Sequence, residues 1–321
     1  MAGSRPPVAI PAAPLVGRAA EVDAASRFLA DGFASFEPRA VVVRGDPGIG
    51  KTAVWRHLVE SVGGDGTRVL AAAPTSAESE LAYAGLADLI EAVPDDLIEA
   101  LPGPQRHGLG VATLREEAGV EPLDPRTIGT AILGLVRTLA SRSAVLIAID
   151  DRQWLDRASA DALVFALRRI VREPVAVLLS IRTDQDGAAV EDDDVTGLFG
   201  PDRTLQLEIG PLTAGALFQL LRNRLGHAFP RPTLIRIANW SGGNALLAIE
   251  LGRLGLQPGG LIGAEAPSGL PRTVTAAVTR RLSSLPAEER RSVLLAALAP
   301  ELTATELGEA AGGLGWPWTL P

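Results

Sequence analysis

Gly45-Asp46-Pro47-Gly48-Ile49-Gly50-Lys51-Thr52 decides the reading of this chain, because it fits the pattern G-x-x-x-x-G-K-[ST] without a mismatch. Small residues there let successive backbone N–H groups turn inward and surround a phosphate as an anion nest. The apolar run Val41–Arg44 leads in as a buried strand. Lys51–Glu60 follows as a helix, with Val54 and Leu58 one turn apart and a stop at Gly63-Gly64. That helix directs its positive N-terminal end at the same phosphate. In such a loop Lys51 reaches the β- and γ-phosphates and the Thr52 hydroxyl ligates Mg²⁺. The stretch therefore predicts a nucleoside triphosphate site, for ATP with Mg²⁺.

Outward from the loop, short β-rich runs alternate with helical patterns, the mark of an α/β fold with a mostly parallel sheet flanked by helices. Arg68–Ala73 reads as a second strand, and Leu81–Val93 and Arg126–Ala140 as amphipathic helices. Ala144–Ile149 is apolar throughout, as a strand covered on both faces should be. A helix over Ser159–Val171 and a strand over Val175–Ile181 follow. Leu205, Leu207 and Ile209 alternate with polar residues, which predicts a half-exposed edge strand. Asp184–Asp194 reads as a solvated acidic loop. From 212 the pattern turns helical, over Thr213–Leu225, Pro232–Ala238 and Asn244–Leu254. Gly255–Gly269 reads as a linker. Val274, Val278, Leu282 and Leu285 mark a further helix, and Pro286 suits the first position of the next. Residues 1–14 read as a flexible, proline-containing leader, and no repeat of solenoid length is present.

A triphosphate site of this type needs an acid at the end of another buried strand. Val145-Leu146-Ile147-Ala148-Ile149-Asp150-Asp151 supplies two. Asp150 is placed to hold the Mg²⁺ shell, through water. Asp151 either polarises an attacking water or caps the next turn. Arg182 follows the fourth strand, at the edge where ligands collect in open parallel sheets. It either senses the γ-phosphate or forms a surface salt bridge. His57, His107 and His227 fit no metal spacing and read as structural. Trp154 reads as a packing residue.

Composition narrows the classes further. The 321 residues are 47% hydrophobic and 21% charged, ordinary for a folded protein. No apolar run approaches the roughly 18 residues that cross a bilayer, so no membrane association is expected. The absence of cysteine excludes disulfides, thiolate metal sites and cysteine nucleophiles, and a cytoplasmic location fits. A formal charge of −8 argues against nucleic-acid binding through a broad basic field. Lys51 is the one lysine among 30 basic side chains, at the position where a compact ammonium suits a triphosphate.

With these elements placed, the chain resembles the ATPase domain of the large ATP-binding LuxR-type transcriptional regulators, members of the STAND class of AAA-like P-loop ATPases. Leu15-Val16-Gly17-Arg18 with Glu21 resembles the family's opening segment, which lies against the nucleotide base. Gly45–Thr52 matches its phosphate loop. Asp150-Asp151-Arg152-Gln153-Trp154-Leu155-Asp156 with Ser159 resembles its "DDxQWxDxxS" stretch. Ser180-Ile181-Arg182 resembles its strand-end arginine. Gly210-Pro211-Leu212-Thr213 resembles the entry to its helical lid, and Ser241-Gly242-Gly243-Asn244-Ala245 its "GGNP" element, with Ala245 in place of the proline that helps wall the adenine pocket.

The resemblance implies contacts to nucleotide from Val16, Gly17, Arg18, Gly45, Asp46, Pro47, Gly48, Ile49, Gly50, Lys51, Thr52, Pro211 and Asn244. It places Mg²⁺ on Thr52 and Asp150, and chemistry on Lys51, Asp151 and Arg182. The implied organisation is a P-loop core over 15–211, a helical lid over 212–257, a linker over 258–270 and the start of a winged-helix segment over 271–321. Family members continue into helical repeats and a DNA-binding domain, so this chain is expected to be a truncated module that does not bind DNA alone. Its expected partners are ATP and ADP, with self-association or other regulator domains. The leading functional expectation is a nucleotide switch with slow ATP hydrolysis. The alternatives are a P-loop small-molecule kinase and a non-hydrolysing ATP-binding remnant.

Overall fold

The computed structural model describes residues 15–64, 66–117, 124–183, 197–256, 286–298 and 304–313. The chain divides into two compact units, residues 1–249 and 250–321.

The first unit is built on five parallel strands, β1 (Arg39–Gly45), β2 (Arg68–Ala72), β3 (Val145–Ile149), β4 (Val175–Arg182) and β5 (Thr204–Glu208). Their order is β2-β3-β4-β1-β5, so β4 inserts between the loop-bearing β1 and the acid-bearing β3. β3 is buried at every position and β4 at all but its last, which explains their unbroken apolar runs. β5 lies at the sheet edge with only Leu207 buried, matching its alternating sequence.

Side chains alternate between two faces, as the two-residue period of a strand requires. Val41 and Val43 of β1 join Leu146, Ala148, Ala176 and Leu178 under α1 (Ala19–Ser35) and α2 (Lys51–Gly64). Ala40 and Val42 join Ile147, Val177 and Leu179 on the opposite face. That face is covered by α3 (Ala84–Glu91), α4 (Asp95–Glu99), α5 (Gly103–Ala112), α6 (Pro125–Ala140) and α7 (Arg157–Leu167). Asp124 caps α6 by accepting the Arg126 N–H at 2.9 Å, with Pro125 in the first turn.

After β5 come α8 (Ala214–Leu225), α9 (Arg231–Ser241) and α10 (Ala245–Gly255). Thr213 caps α8 by accepting the Ala216 N–H at 3.2 Å, and Gly226 ends it in the left-handed region at φ 65°. In the second unit, α11 (Ala287–Leu298) follows Pro286 and packs against α12 (Ala304–Gly313), with Leu307 and Ala311 buried.

Several boundaries differ from the sequence expectations. The helix expected from Leu81 begins at Ala84, because Tyr83 adopts a left-handed φ of 65° and Leu81 is exposed. The helix expected over Ser159–Val171 starts at Arg157, where Asp156 caps it, and ends at Leu167 in a tighter turn. α1, α4, α5 and α12 have no counterpart in the sequence reading. The leader, the 258–270 linker, the helix marked by Val274–Leu285 and the acidic loop Asp184–Asp194 lie outside the described residues. Among the described residues no helix is long and apolar enough to cross a membrane.

Candidate functional site

The loop between β1 and α2 takes its shape from glycines in backbone regions that side chains disfavour. Gly45, Gly48 and Gly50 have φ of 151°, 79° and 113°. A Cβ on Gly45 would stand 2.7 Å from the Ile209 carbonyl oxygen. The Ile49 N–H returns to the Asp46 carbonyl at 3.2 Å, and helical bonding resumes when Ala53 and Val54 donate to Gly50 at 3.1 and 3.2 Å. The Lys51 and Thr52 N–H groups thus belong to the first turn, where no intrahelical acceptor exists, and a helix start of this kind suits an anion.

Lys51 is buried, with only 5% of its surface exposed, and its Nζ donates to the Gly45 and Asp46 carbonyls at 2.9 and 3.0 Å. Burial pushes its pKa below the ordinary lysine value, assisted by the Arg182 charge and opposed by Asp151, Asp150 and Asp46. An ammonium partly stripped of water beside a nest of N–H groups suits a polyanion.

The strand order brings the acids to this loop. Arg182 at the end of β4 stands opposite Gly45, and Ser180 opposite Val43. Asp150 continues β3 and is buried. The Ser180 hydroxyl donates to Asp150 Oδ1 and accepts the Asp151 N–H at 2.8 Å, so one buried serine fixes both acids. Asp151 adopts a left-handed φ of 46°. Its carboxylate makes no capping bond, which corrects the alternative that it caps the next turn. It accepts instead from Gln153 Nε2 at 2.9 Å and from Arg182, with Nη2 at 3.3 Å from Oδ2 and Nε at 3.4 Å from Oδ1. Burial alone would raise the Asp151 pKa. The bonds from Gln153 and Arg182, with the Arg182 and Lys51 charges, outweigh it and leave the value below the usual carboxylate range. Arg182 does form a salt bridge, but inside the site rather than on the open surface.

The stretch after the acids is held from a distance. Asp156, 3% exposed, caps α7 by accepting the Ser159 N–H at 2.9 Å. It also accepts the Tyr83 and Gly85 N–H groups at 2.8 and 3.1 Å. The Ser159 hydroxyl accepts the Leu86 N–H at 2.8 Å, so one acid and one serine cap α3 as well as α7. The Trp154 ring flanks the Arg182 guanidinium, 5.6 Å from its carbon to the ring centroid.

The segments flanking the core meet beside the loop. Asn244 Nδ2 donates to the Pro47 carbonyl at 2.9 Å, and the Leu246 N–H to the Gly48 carbonyl at 3.0 Å. The Leu212 N–H donates to the Gly243 carbonyl at 2.9 Å. A Cβ on Gly17 would stand 2.7 Å from Ala216 Cβ, which sets the segment containing Val16 and Gly17 against α8. Arg18 is buried and donates to the Gly210 carbonyl while pairing with Glu21 at 3.2 Å. Its charge therefore fastens the chain entry to the exit of β5. Pro211 lies next to Gly243. Thr52 follows Lys51 in the first turn of α2, half-buried.

Gln153, Ser180 and the bridging role of Asp156 were absent from the expected site. A serine inside the otherwise apolar run Val175–Ile181 was the available signal for Ser180. His107 pairs with Glu116 at 2.7 Å, and His227 stacks edge-on against Phe229. Among the described residues no group of three or more His, Asp or Glu is placed to hold a metal.

A parallel sheet with an added strand between loop and acids, and a buried lysine in a glycine nest, define a P-loop NTPase fold. The chain belongs to the AAA ATPase domain family, whose sequence pattern matches residues 14–180. Among solved structures, the ORC2 protein of Aeropyrum pernix, solved as ADPNP–ADP complexes, aligns with TM-score 0.54 at 16% identity, over 92% of this chain and 79% of that one. Cdc6p of Pyrobaculum aerophilum aligns with TM-score 0.51 at 15% identity, over 99% and 85%. A STAND protein with a tetratricopeptide repeat sensor from Pyrococcus horikoshii gives TM-score 0.41 at 15% identity, over 91% of this chain and 36% of that one. At these identities the likeness concerns the fold alone. No curated protein matches.

Proposed function

We propose that this chain is an ATP-binding regulatory module, a nucleotide switch with slow Mg²⁺-dependent hydrolysis, of the kind found in LuxR-type transcriptional regulators. The observation that carries the reading is convergence. Lys51 from the first turn of α2, Asp150 and Asp151 from the end of β3 and Arg182 from the end of β4 meet at the loop whose carbonyls at Pro47 and Gly48 are bonded to Asn244 and Leu246. In this reading 15–211 is the core and 212–257 the lid, in a cytoplasmic protein.

Gly45–Thr52 and Lys51 hold the phosphates, while Val16, Gly17, Pro211 and Asn244 border the base. Arg18 acts by fixing that border. The Thr52 hydroxyl and the Asp150 carboxylate are hard oxygen donors suited to Mg²⁺, few enough to leave room for water and phosphate oxygens. Mg²⁺, when bound, neutralises charge between the β- and γ-phosphates. Asp151 is the group that orients and polarises the attacking water. Lid contacts to the loop give ATP and ADP different affinities for open and closed arrangements, which is what a switch requires.

Phosphate release in a single turnover tests this: about 10²-fold or more slowing in Asp151→Asn is expected. Equal rates in the two proteins would favour a second reading, a non-hydrolysing ATP-binding module, which the engagement of Asp151 by Arg182 and Gln153 supports. Phosphate appearing on an acceptor molecule would instead support a kinase.

A further inference from the structure

The loop Gly45–Thr52 holds most of its own carbonyls. Lys51 Nζ takes those of Gly45 and Asp46 at 2.9 and 3.0 Å, the Ile49 N–H also takes that of Asp46, and the first turn of α2 takes that of Gly50. The carbonyls of Pro47 and Gly48 are held from outside, by Asn244 Nδ2 at 2.9 Å and the Leu246 N–H at 3.0 Å. The nucleotide reading sets Asn244 at the border of the base, yet both ends of its amide already serve the protein. Oδ1 caps α10 by accepting the Leu247 N–H at 3.2 Å, and Nδ2 is on the loop. Those partners fix which end is which, because an N–H needs the oxygen and a carbonyl needs the NH₂ group. The residue is also braced. Its N–H donates to the Ser241 carbonyl at 2.9 Å, and a Cβ on neighbouring Gly243 would stand 2.6 Å from Pro211 Cβ.

We infer that Asn244 is a positioning residue of the phosphate loop, which aims one backbone N–H at the anion, and that it does not read the base. This rests on the nucleotide reading for the presence of phosphate in the loop. A trans peptide points its N–H away from its C=O. The Pro47 carbonyl is turned to Asn244, so the Gly48 N–H of the same peptide is directed to the opposite side. Gly48, at φ 79° and without a side chain, leaves that peptide easy to rotate. Among the described residues no acceptor takes the Gly48 N–H, which leaves it for a ligand. An anion nest works by successive N–H groups aimed at one point, and the Asn244 bond keeps this one from turning away. Serine or aspartate would cap α10 as well, but neither carries a separate NH₂ group for the loop. One side chain is thus both cap and latch.

The test compares ligands that have a base with one that has none. Affinities of wild type and Asn244→Ser for a non-hydrolysable ATP analogue, its GTP counterpart and inorganic tripolyphosphate, all with Mg²⁺, are measured by calorimetry. Serine keeps the cap and adds no charge. The expected result is a loss of about fivefold for every ligand the wild type binds, with the ATP-to-GTP ratio unchanged. Amide exchange at Leu247 should stay at its wild-type rate, as it does when α10 remains capped. Unchanged tripolyphosphate affinity, or a loss confined to one base, overturns the inference. So does an equal loss accompanied by faster exchange at Leu247, since Asn244 then acts only as a cap. Asn244→Thr, also a neutral cap, carries the same comparison if Asn244→Ser does not fold. A wild type that binds tripolyphosphate but neither nucleotide analogue overturns the nucleotide reading, and the tripolyphosphate loss alone then decides the inference. A folded wild type that binds none of the three overturns both.

Discussion

The phosphate loop and the acidic segment Asp150–Ser159 lie at the same edge of one sheet and are shaped in opposite ways. Gly45–Thr52 makes its own shape: three glycines at positive φ, a lysine bonded to carbonyls five and six residues back, and a helix that starts at once. Asp150–Ser159 is shaped by partners 29 to 73 residues away, among them Ser180, Arg182, Tyr83 and Leu86. A locally determined loop can keep its geometry while its surroundings move. An imposed segment transmits whatever happens to its partners, and it is the one that carries the acids.

Asp156→Ala should have the largest effect on the fold. It strips acceptors from the N–H groups of Tyr83, Gly85 and Ser159 in a buried site, costing on the order of 3 kcal/mol in urea unfolding. A cost near zero would mean that the segment holds itself, and the contrast with the loop would fail.

Gly48→Ala probes the other side. The backbone there is at φ 79°, and a Cβ would stand 2.9 Å from Leu246 Cβ and 3.0 Å from Asn244 Oδ1. About 1–2 kcal/mol of destabilisation is expected. Faster amide exchange at Leu246 should accompany it, since the Leu246 N–H bonds the Gly48 carbonyl. A loss larger than that of Asp156→Ala would reverse the comparison.

Glu173 sharpens the comparison on the surface. Like Asp156 it accepts backbone N–H groups, those of Val171 and Arg172 at 2.7 and 2.8 Å, and it is bonded by Arg137 Nε at 3.0 Å. Burial tends to raise its pKa, but these bonds and the Arg137 charge hold it below the usual glutamate value. A depressed carboxylate stabilises the fold above its unfolded pKa of about 4.3, and the contribution is lost as pH falls through the folded value. The stability gap between wild type and Glu173→Gln should therefore be present at pH 6 and shrink below about pH 4. A gap unchanged across that range would show that the carboxylate charge is not what matters.

How much of this was readable in advance follows the same division. Gly45–Thr52, the flanking strand and the helix needed only local chemistry, so the loop and the buried strands β1, β3 and β4 were legible. Asp150 and Asp151 were legible as acids at a strand end. The pairing of Asp151 with Arg182, and the place of Ser180 between the acids, required knowing that β4 inserts between β1 and β3. No residue in either strand states that order. Asp156 was visible as part of a motif, but its reach to Tyr83 and Gly85 depends on how α3 packs against α7. The start of α3 was misplaced by three residues for that reason: a carboxylate 73 positions downstream accepts the Tyr83 N–H.

Calorimetric titration of a non-hydrolysable ATP analogue with Mg²⁺, into folded wild type and into Lys51→Ala, tests the central claim most directly. The account expects saturable binding at one site per chain in the wild type, weakened about 10²-fold or more in the variant, because the buried ammonium proposed to hold the phosphates is lost. Equal affinity in the two proteins, or no binding by the wild type, would contradict it.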